Sequence, residues 1–371
     1  MNILLVTSEY PPYGSGIANA VYEIKKHMSR KSARVSVLSR QGADMNVTSL
    51  FEILPGLPGL LPFWEQVARL IPKLATNYDA LWLHSPLLIN IDSLLCMKTM
   101  ISFHSTYYGF YHAYKEHTIT HLLPYYSIAT KLEHHFLQKL SHANLILTAV
   151  SPSVANEVCR NGLGFCPSVV PNGFETNLGS EMLFDKSYAR KILKERYRLS
   201  FSENEKILLC VGRITEAKQP SLLLQLFEAI SSADVNVSLI IVGSGNLAKK
   251  VRKKACQHKV HTLEQVPHER VFDFLNAADA FISLSCYEGL PLAVLEAASV
   301  GLPLILSDIP SHKWLVDSKI AHGLLLDLHN VKLAKIHEFI DHAEKKVVPD
   351  PSSTRRFMWE NVIEDYLTLL E

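Results

Sequence analysis

The feature that most restricts this chain is an alternation. Short apolar runs take turns with amphipathic stretches of helical period. Residues 2–7 (NILLVT) read as a strand and residues 18–29 as a helix, and residues 35–39, 80–84, 100–104 and 145–150 read as further strands. Runs without polar alternation mark strands buried on both faces, and the helices between them supply the crossovers of a parallel sheet. The pattern restarts after Asn172, with strands at 206–211, 237–242, 280–284 and 303–306 and helices at 220–231 and 247–257. At 371 residues and 48% hydrophobic, the chain is long enough for two cores. The expected class is α/β, with two Rossmann-like doubly wound parallel sheets dividing near the turn signal Pro171-Asn172-Gly173. In such sheets ligands sit at the carboxyl ends of the strands.

Composition narrows the function. A net charge of +1 gives no support for non-specific nucleic-acid binding, and 20% charged residues argue against disorder. The six cysteines have no CxxC spacing and several lie in apolar runs, so buried free thiols in a reducing compartment are expected. The N-terminus lacks a basic n-region and a cleavage site, and no run reaches the ~18 apolar residues of a span, which points to a cytoplasmic protein. The Pro- and Gly-punctuated stretch 55–72 reads as a loop entering a packed helix, or as an acceptor-side or membrane-touching flap. Lys25, Lys26, Arg30, Lys31 and Arg34 form either a solvated helix face or a peripheral contact with anionic lipid.

Several constellations carry chemistry. The loop Pro11-Pro12-Tyr13-Gly14-Ser15-Gly16 lies between strand and helix, where glycines let amides approach a phosphate. It lacks the GxGxxG spacing of a dinucleotide site, and a tight turn explains it equally well. Gly212-Arg213 follows a strand, with Lys218 five residues on. A planar fork and a point charge suit a diphosphate, or are two solvated surface charges. Gly243-Ser244-Gly245 presents backbone to a nucleotide or forms a tight turn. Glu288 and Glu296 bracket seven mostly apolar residues; Glu296 falls in an apolar helical stretch and needs a polar partner. His104 ends a strand, and the aromatic run after it either stacks sugars or packs as core.

Taken together, these residues resemble the retaining family-4 glycosyltransferases of the GT-B fold. Gly212-Arg213 with Lys218 matches that family's G-R-x4-K element, Glu288 to Glu296 its E-x7-E element, and residues 278–308 its donor region. The resemblance implies two Rossmann-like domains facing a central cleft: an acceptor-side domain at 1–172, a donor domain at 173–353, and a closing helix at 354–371 that returns to the first domain. Arg213 and Lys218 would hold the donor diphosphate, Glu288 the sugar hydroxyls and Glu296 the ribose, with His104 near the transferred sugar. The implied donor-binding set is Gly14, Gly16, Arg213, Lys218, Gly243, Glu288, Gly289, Leu290, Pro291, Leu292 and Glu296; the implied catalytic set is Arg213, Lys218, Glu288 and His104. Asn172-Gly173 matches the hinge-side element, and Trp359 with Tyr366 the closing helix. Ser15, Gln219 and Leu290 stand where the family often has Gly, Gly and Phe.

The implied reaction moves a hexosyl-type sugar from a UDP- or GDP-sugar to a hydroxyl of a glycan, lipid-linked or small-molecule acceptor, with retention and with no cofactor or metal required. No DxD motif is placed to hold a metal. A sugar-nucleotide epimerase and a non-catalytic nucleotide-sugar-binding subunit are the competing readings, since fold does not fix function.

Overall fold

The computed structural model describes residues 1–12, 16–31, 33–47, 57–174, 185–232, 236–255, 259–342 and 351–371. The chain folds as two compact units, Met1–Gly173 with Arg356–Glu371, and Phe174–Arg355.

The first unit contains β1 (Asn2–Thr7), α1 (Gly16–Arg30), β2 (Arg34–Ser39), β3 (Met45–Asn46), α2 (Leu57–Leu74), β4 (Ala80–His84), β5 (Lys98–Phe103), α3 (Tyr107–Glu116), α4 (Leu123–Leu140), β6 (Ile146–Ala149), α5 (Pro152–Val158) and β7 (Ser168–Val169). Its strands form one parallel sheet in the order β3-β2-β1-β4-β5-β6-β7. The second unit contains α6 (Lys186–Tyr197), β8 (Lys206–Val211), α7 (Pro220–Ser231), β9 (Val237–Val242), α8 (Ala248–Ala255), β10 (Val260–Leu263), α9 (His268–Ala277), β11 (Ala280–Ser283), α10 (Leu292–Ser299), β12 (Leu304–Ser307), α11 (Pro310–Asp317), β13 (Gly323–Leu326), α12 (Leu333–Asp341) and α13 (Pro351–Thr354). Its sheet runs β10-β9-β8-β11-β12-β13, again parallel. Both units are doubly wound α/β sheets. The apolar runs became the central strands because helices cover both faces: Ile3 to Val6, Ala80 to Leu83 and Ile207 to Leu209 are all at most 1% exposed.

The last helix, α14 (Trp359–Leu370), packs within the first unit. Its Tyr366 hydroxyl donates to the Val170 carbonyl at 3.2 Å, and its ring lies 4.3 Å from that of Trp82. A Cβ on Gly173 would sit 2.5 Å from the Trp359 ring, so only glycine admits that indole.

Four expectations need correction. From residue 57 on, the Pro-punctuated stretch is helix α2, with Pro62 and Pro72 inside it. Burial of Phe63, Trp64, Val67, Ala68 and Ile71 along one face outweighs the amide bonds those prolines forfeit. Strands β3, β7, β10 and β13 were missed because they are two to four residues long and mostly half-exposed, without the apolar run that marks a central strand. Met100 and His104 are not the ends of their strand: β5 begins at Lys98, and His104 lies just beyond it. Among the described residues the cysteines are free, but Cys96 and Cys166 are exposed rather than buried. No helix among the described residues is long and apolar enough to cross a membrane.

Candidate functional site

In the second unit the strand order reverses between β8 and β11, the crevice where doubly wound sheets receive ligands. The loops leaving these two strands carry most of the candidate residues. After β8, Gly212 turns the chain at φ +144°, and Ile214 donates its amide to the Ser244 carbonyl at 2.8 Å. This zips the loop after β8 onto the loop after β9. A Cβ at Gly243 would lie 1.9 Å from the Gly212 carbonyl oxygen, so this glycine serves the close approach of two loops. Residues Glu216–Lys218 form a 3₁₀ turn, and the Cys286 amide donates to the Ala217 carbonyl at 2.8 Å, joining the turn to the loop after β11. Gln219 is left-handed at φ +48°, a conformation glycine adopts more easily.

The outcome is that Lys218 Nζ meets Glu288 Oε1, while Ser285 Oγ donates to the same oxygen at 2.8 Å. Arg213 is exposed and has no ion pair among the described residues. It lines, with Cys210, Lys218 and Leu284, a cavity of about 20 Å³, room for a single water. Burial pushes the Glu288 carboxyl up, but Lys218, then His312 and the Lys218 and Ser285 hydrogen bonds, outweigh it and hold the group below the usual carboxylate range. His312, fully buried at the start of α11, has Nδ1 3.0 Å from the Ser307 carbonyl, and its Nε2 has no partner among the described residues. Burial pushes this imidazole down to about 4, against the pull of Glu288. The arrangement is an ionised pair beside a free guanidinium, with neutral donors and acceptors behind it.

Pro291 caps α10, Leu292 opens it, and Gly289, Leu290 and Pro291 are buried in the turn before it. Leu290 is 7% exposed, so its side chain belongs to the core and only its backbone is offered to a ligand. Start-of-helix amides of this kind suit an anion. Glu296, on the same helix, finds its polar partner in His268 Nε2 of α9, at 2.7 Å. The structure brings Arg213, Lys218, Gly243 and Glu288 together and ties Glu296 instead to His268.

In the first unit the strand order reverses between β1 and β4. Gly14 lies outside the described residues. Gly16 opens α1, and among the described residues outside its own neighbours and helix backbone no atom lies within 4 Å of where a Cβ would stand. His84 ends β4 and His104 follows β5, and the two rings meet: His84 Nδ1 is 2.9 Å from His104 Nε2. Both are buried, at 1% and 5% exposure. Burial pushes His104 down to about 4, and burial followed by the neighbouring imidazole pushes His84 well below its ordinary value. The aromatic run after His104 packs as the α3–α4 interface, where Tyr126 meets the rings of Phe110 and Tyr114. Beneath it, the Glu133 carboxylate of α4 accepts from the amides of Tyr107 and Tyr108, at 2.9 and 3.0 Å, capping α3 from a neighbouring helix. Burial raises Glu133 to about 7, against the hydrogen bonds from Tyr107 and Tyr108.

Sequence reasoning missed His84, Ser285, His312, His268 and Glu133. His84 was findable, because ALWLH ends as MISFH does, in a histidine at the mouth of a buried strand. The others gave no local signal. Of the basic residues near the first helix, Lys25 pairs with Asp44 at 2.7 Å, Lys26 with Glu23 at 2.9 Å and Lys31 with Glu364, so much of that charge is already balanced.

Comparison with known proteins bears on this geometry. A family model described as glycosyl transferases group 1 matches residues 192–347, and one described as glycosyltransferase family 4 matches residues 14–178. The chain is 29% identical over 183 residues to the Escherichia coli UDP-Gal:alpha-D-GlcNAc-diphosphoundecaprenol alpha-1,3-galactosyltransferase, covering 47% of this chain and 46% of that protein. It is 23% identical over 362 residues to the alpha-monoglucosyldiacylglycerol synthase of Streptococcus pneumoniae, covering 92% and 78%. The matches span a third to just under half of the length of the first curated relatives. Among solved structures, Anabaena HepE in complex with UDP-glucose superposes with a TM-score of 0.70 at 14% identity, covering 99% of each chain. With glycosyltransferases among its structural neighbours, the fold is GT-B.

Proposed function

This chain belongs to the group 1, family-4 glycosyltransferases, and from that premise we propose that it transfers a sugar from a nucleoside-diphosphate sugar to a hydroxyl acceptor, with retention of configuration. The observation that carries the reading is the ionised Lys218–Glu288 pair beside the unpaired Arg213 at the strand reversal of the second unit.

On this reading the donor diphosphate replaces Glu288 as the partner of Lys218, and Arg213 adds a forked contact to the same phosphates. Glu288, released from the lysine, accepts hydrogen bonds from the sugar hydroxyls. The amides that open α10 face the phosphates, and Glu296 turns from His268 to the ribose. As the glycosidic bond to the diphosphate breaks, negative charge grows on the leaving phosphate between Lys218 and Arg213, where preorganised cations stabilise it most. We assign the acceptor side to the first unit, and to its His104 a hydrogen bond with a sugar hydroxyl. The acceptor hydroxyl attacks from the face the diphosphate leaves and passes its proton to the departing phosphate oxygen.

A UDP-sugar is the favoured donor, in keeping with HepE's complex with UDP-glucose and with the name of the Escherichia coli relative. That relative's name, and that of the Streptococcus pneumoniae synthase, favour a lipid-borne acceptor. The test is to incubate the enzyme with UDP-sugars and a polyprenyl-diphosphate-linked sugar or a diacylglycerol and to analyse the product. A product whose new linkage has the anomeric configuration of the donor supports the reading. Epimerised donor in the absence of acceptor, or nucleotide binding without turnover on any acceptor, refutes it.

A further inference from the structure

Four ring nitrogens belong to the His84–His104 pair, and the structure gives each a different situation. His84 Nδ1 and His104 Nε2 face one another at 2.9 Å. His84 Nε2 is sealed from solvent with no hydrogen-bond partner among the described residues. His104 Nδ1 has no partner among the described residues. The pair cannot easily rearrange. The His84 ring lies 4.9 Å from that of Trp82, whose indole N–H is itself fixed on Ser102 Oγ at 2.7 Å. The His104 amide donates to Ser85 Oγ at 3.0 Å, and Ser85, held at φ +48°, donates its own amide to the Ser102 carbonyl at 2.8 Å.

Two neutral imidazoles hold two protons and share one hydrogen bond, so only two arrangements exist. In one, His104 donates through Nε2 and His84 accepts at Nδ1; the single ring proton of His84 then sits on Nε2, an N–H with no acceptor among the described residues. In the other, His84 donates through Nδ1, and its sealed Nε2 is only a lone pair. A sealed donor costs more than a sealed acceptor. This difference outweighs the mild preference of a free imidazole for the Nε2 proton.

We propose that His84 is a positioning residue that donates its Nδ1 proton to His104 Nε2 and so leaves His104 with its one proton on Nδ1, available to an oxygen of the substrate. His104 then acts as a hydrogen-bond donor to a sugar hydroxyl and has no open lone pair with which to take a proton. The functional part of this inference rests on the role given to His104 above; the proton arrangement does not.

The experiment is long-range nitrogen–proton NMR of the protein labelled with ¹⁵N-histidine, on wild type, His84→Asn and His84→Leu, with transfer kinetics on each. In wild type His104 should show a protonated Nδ1 and an unprotonated Nε2. His84→Asn keeps an N–H near the same place and should keep that pattern. His84→Leu should shift His104 toward Nε2 protonation and lower kcat by about tenfold or more, as misassigned tautomers do elsewhere, while His84→Asn recovers most of that loss. A wild-type His104 protonated at Nε2, or unchanged His104 nitrogens in His84→Leu, overturns the proposal. If Leu disrupts folding, the wild-type spectrum alone still decides. The predicted spectrum together with a His104→Ala enzyme that transfers at the wild-type rate would remove His104 from the reaction and leave the proton arrangement standing.

Discussion

The two strand reversals of this molecule solve the same problem in opposite ways. Each places polar side chains where a buried sheet opens. In the second unit the groups keep their charges, because Lys218 and Glu288 neutralise one another and Glu288 is held below the ordinary carboxylate range. In the first unit the groups give up their charges, because His84 and His104 are buried, their ring nitrogens hydrogen-bond among the described residues only to each other, and both are pushed down. A charged ligand can exchange with an ion pair, taking one partner and freeing the other. A neutral pair offers directional hydrogen bonds and no net field. The contrast fits a diphosphate in the second unit and sugar hydroxyls at the first.

The comparison breaks most visibly if the two halves respond alike to truncation. Lys218→Ala should lower transfer by roughly a thousandfold, about 4 kcal/mol, the size of a lost charge-stabilising donor. His104→Ala, which removes only a neutral contact, should lose about a hundredfold or less. Transfer assays under matched conditions check the ranking, and a reversed order would undo the contrast. Gly243→Ala probes what shapes the charged site, since its Cβ would stand 1.9 Å from the Gly212 carbonyl oxygen. It should destabilise the protein by about 3 kcal/mol, read by denaturant unfolding, because backbone must move.

Acid should sharpen the contrast further. His104 and His312 are lowered to about 4 from an unfolded value of 6.5, so the stability they contribute is present above pH 6.5 and is lost as pH falls through about 4. Glu133 works the other way. Raised from 4.5 to about 7, it contributes stability that is fully present below pH 4.5 and lost as pH rises through about 7. Stability measured across pH 4–8 should therefore change slope in opposite senses in His104→Phe and Glu133→Gln; parallel curves for both variants would contradict the assigned shifts.

Residue for residue, the smallest expected effect concerns the surface. On α8, Lys249, Lys250, Lys253 and Lys254 are exposed, and none has an ion pair among the described residues, whereas Lys25, Lys26 and Lys31 near α1 are paired with acids. Removing the four α8 lysines should weaken whatever binding occurs to anionic vesicles by about 1 kcal/mol each at low salt. Removing those of α1 should change it less, and sedimentation with vesicles compares the two.

The sequence made the central strands legible because burial on two faces leaves an unbroken apolar run, as in Asn2–Thr7 and Val237–Val242. It left β10 and β13 unread because edge strands only half bury their side chains. In the candidate site, charges at strand ends are conspicuous, so Arg213, Lys218 and Glu288 stand out in a row of letters. The partners that define their electrostatics do not. Ser285 and His312 matter through proximity created by β11 and β12, and Glu133 through a helix packed across α3; no periodicity encodes such meetings. Likewise His268 answers the requirement that Glu296 have a polar partner, but only folding reveals which histidine of the seventeen it is.

The most direct test of the central claim, that an incoming diphosphate takes Lys218 from Glu288, is calorimetric titration of UDP into wild type, Lys218→Ala and Glu288→Gln. The account predicts that Lys218→Ala weakens UDP by at least about tenfold, 1.4 kcal/mol, while Glu288→Gln binds it at least as tightly as wild type, because the lysine no longer has to be released. UDP bound equally well by Lys218→Ala and wild type, or more weakly by Glu288→Gln, would contradict it.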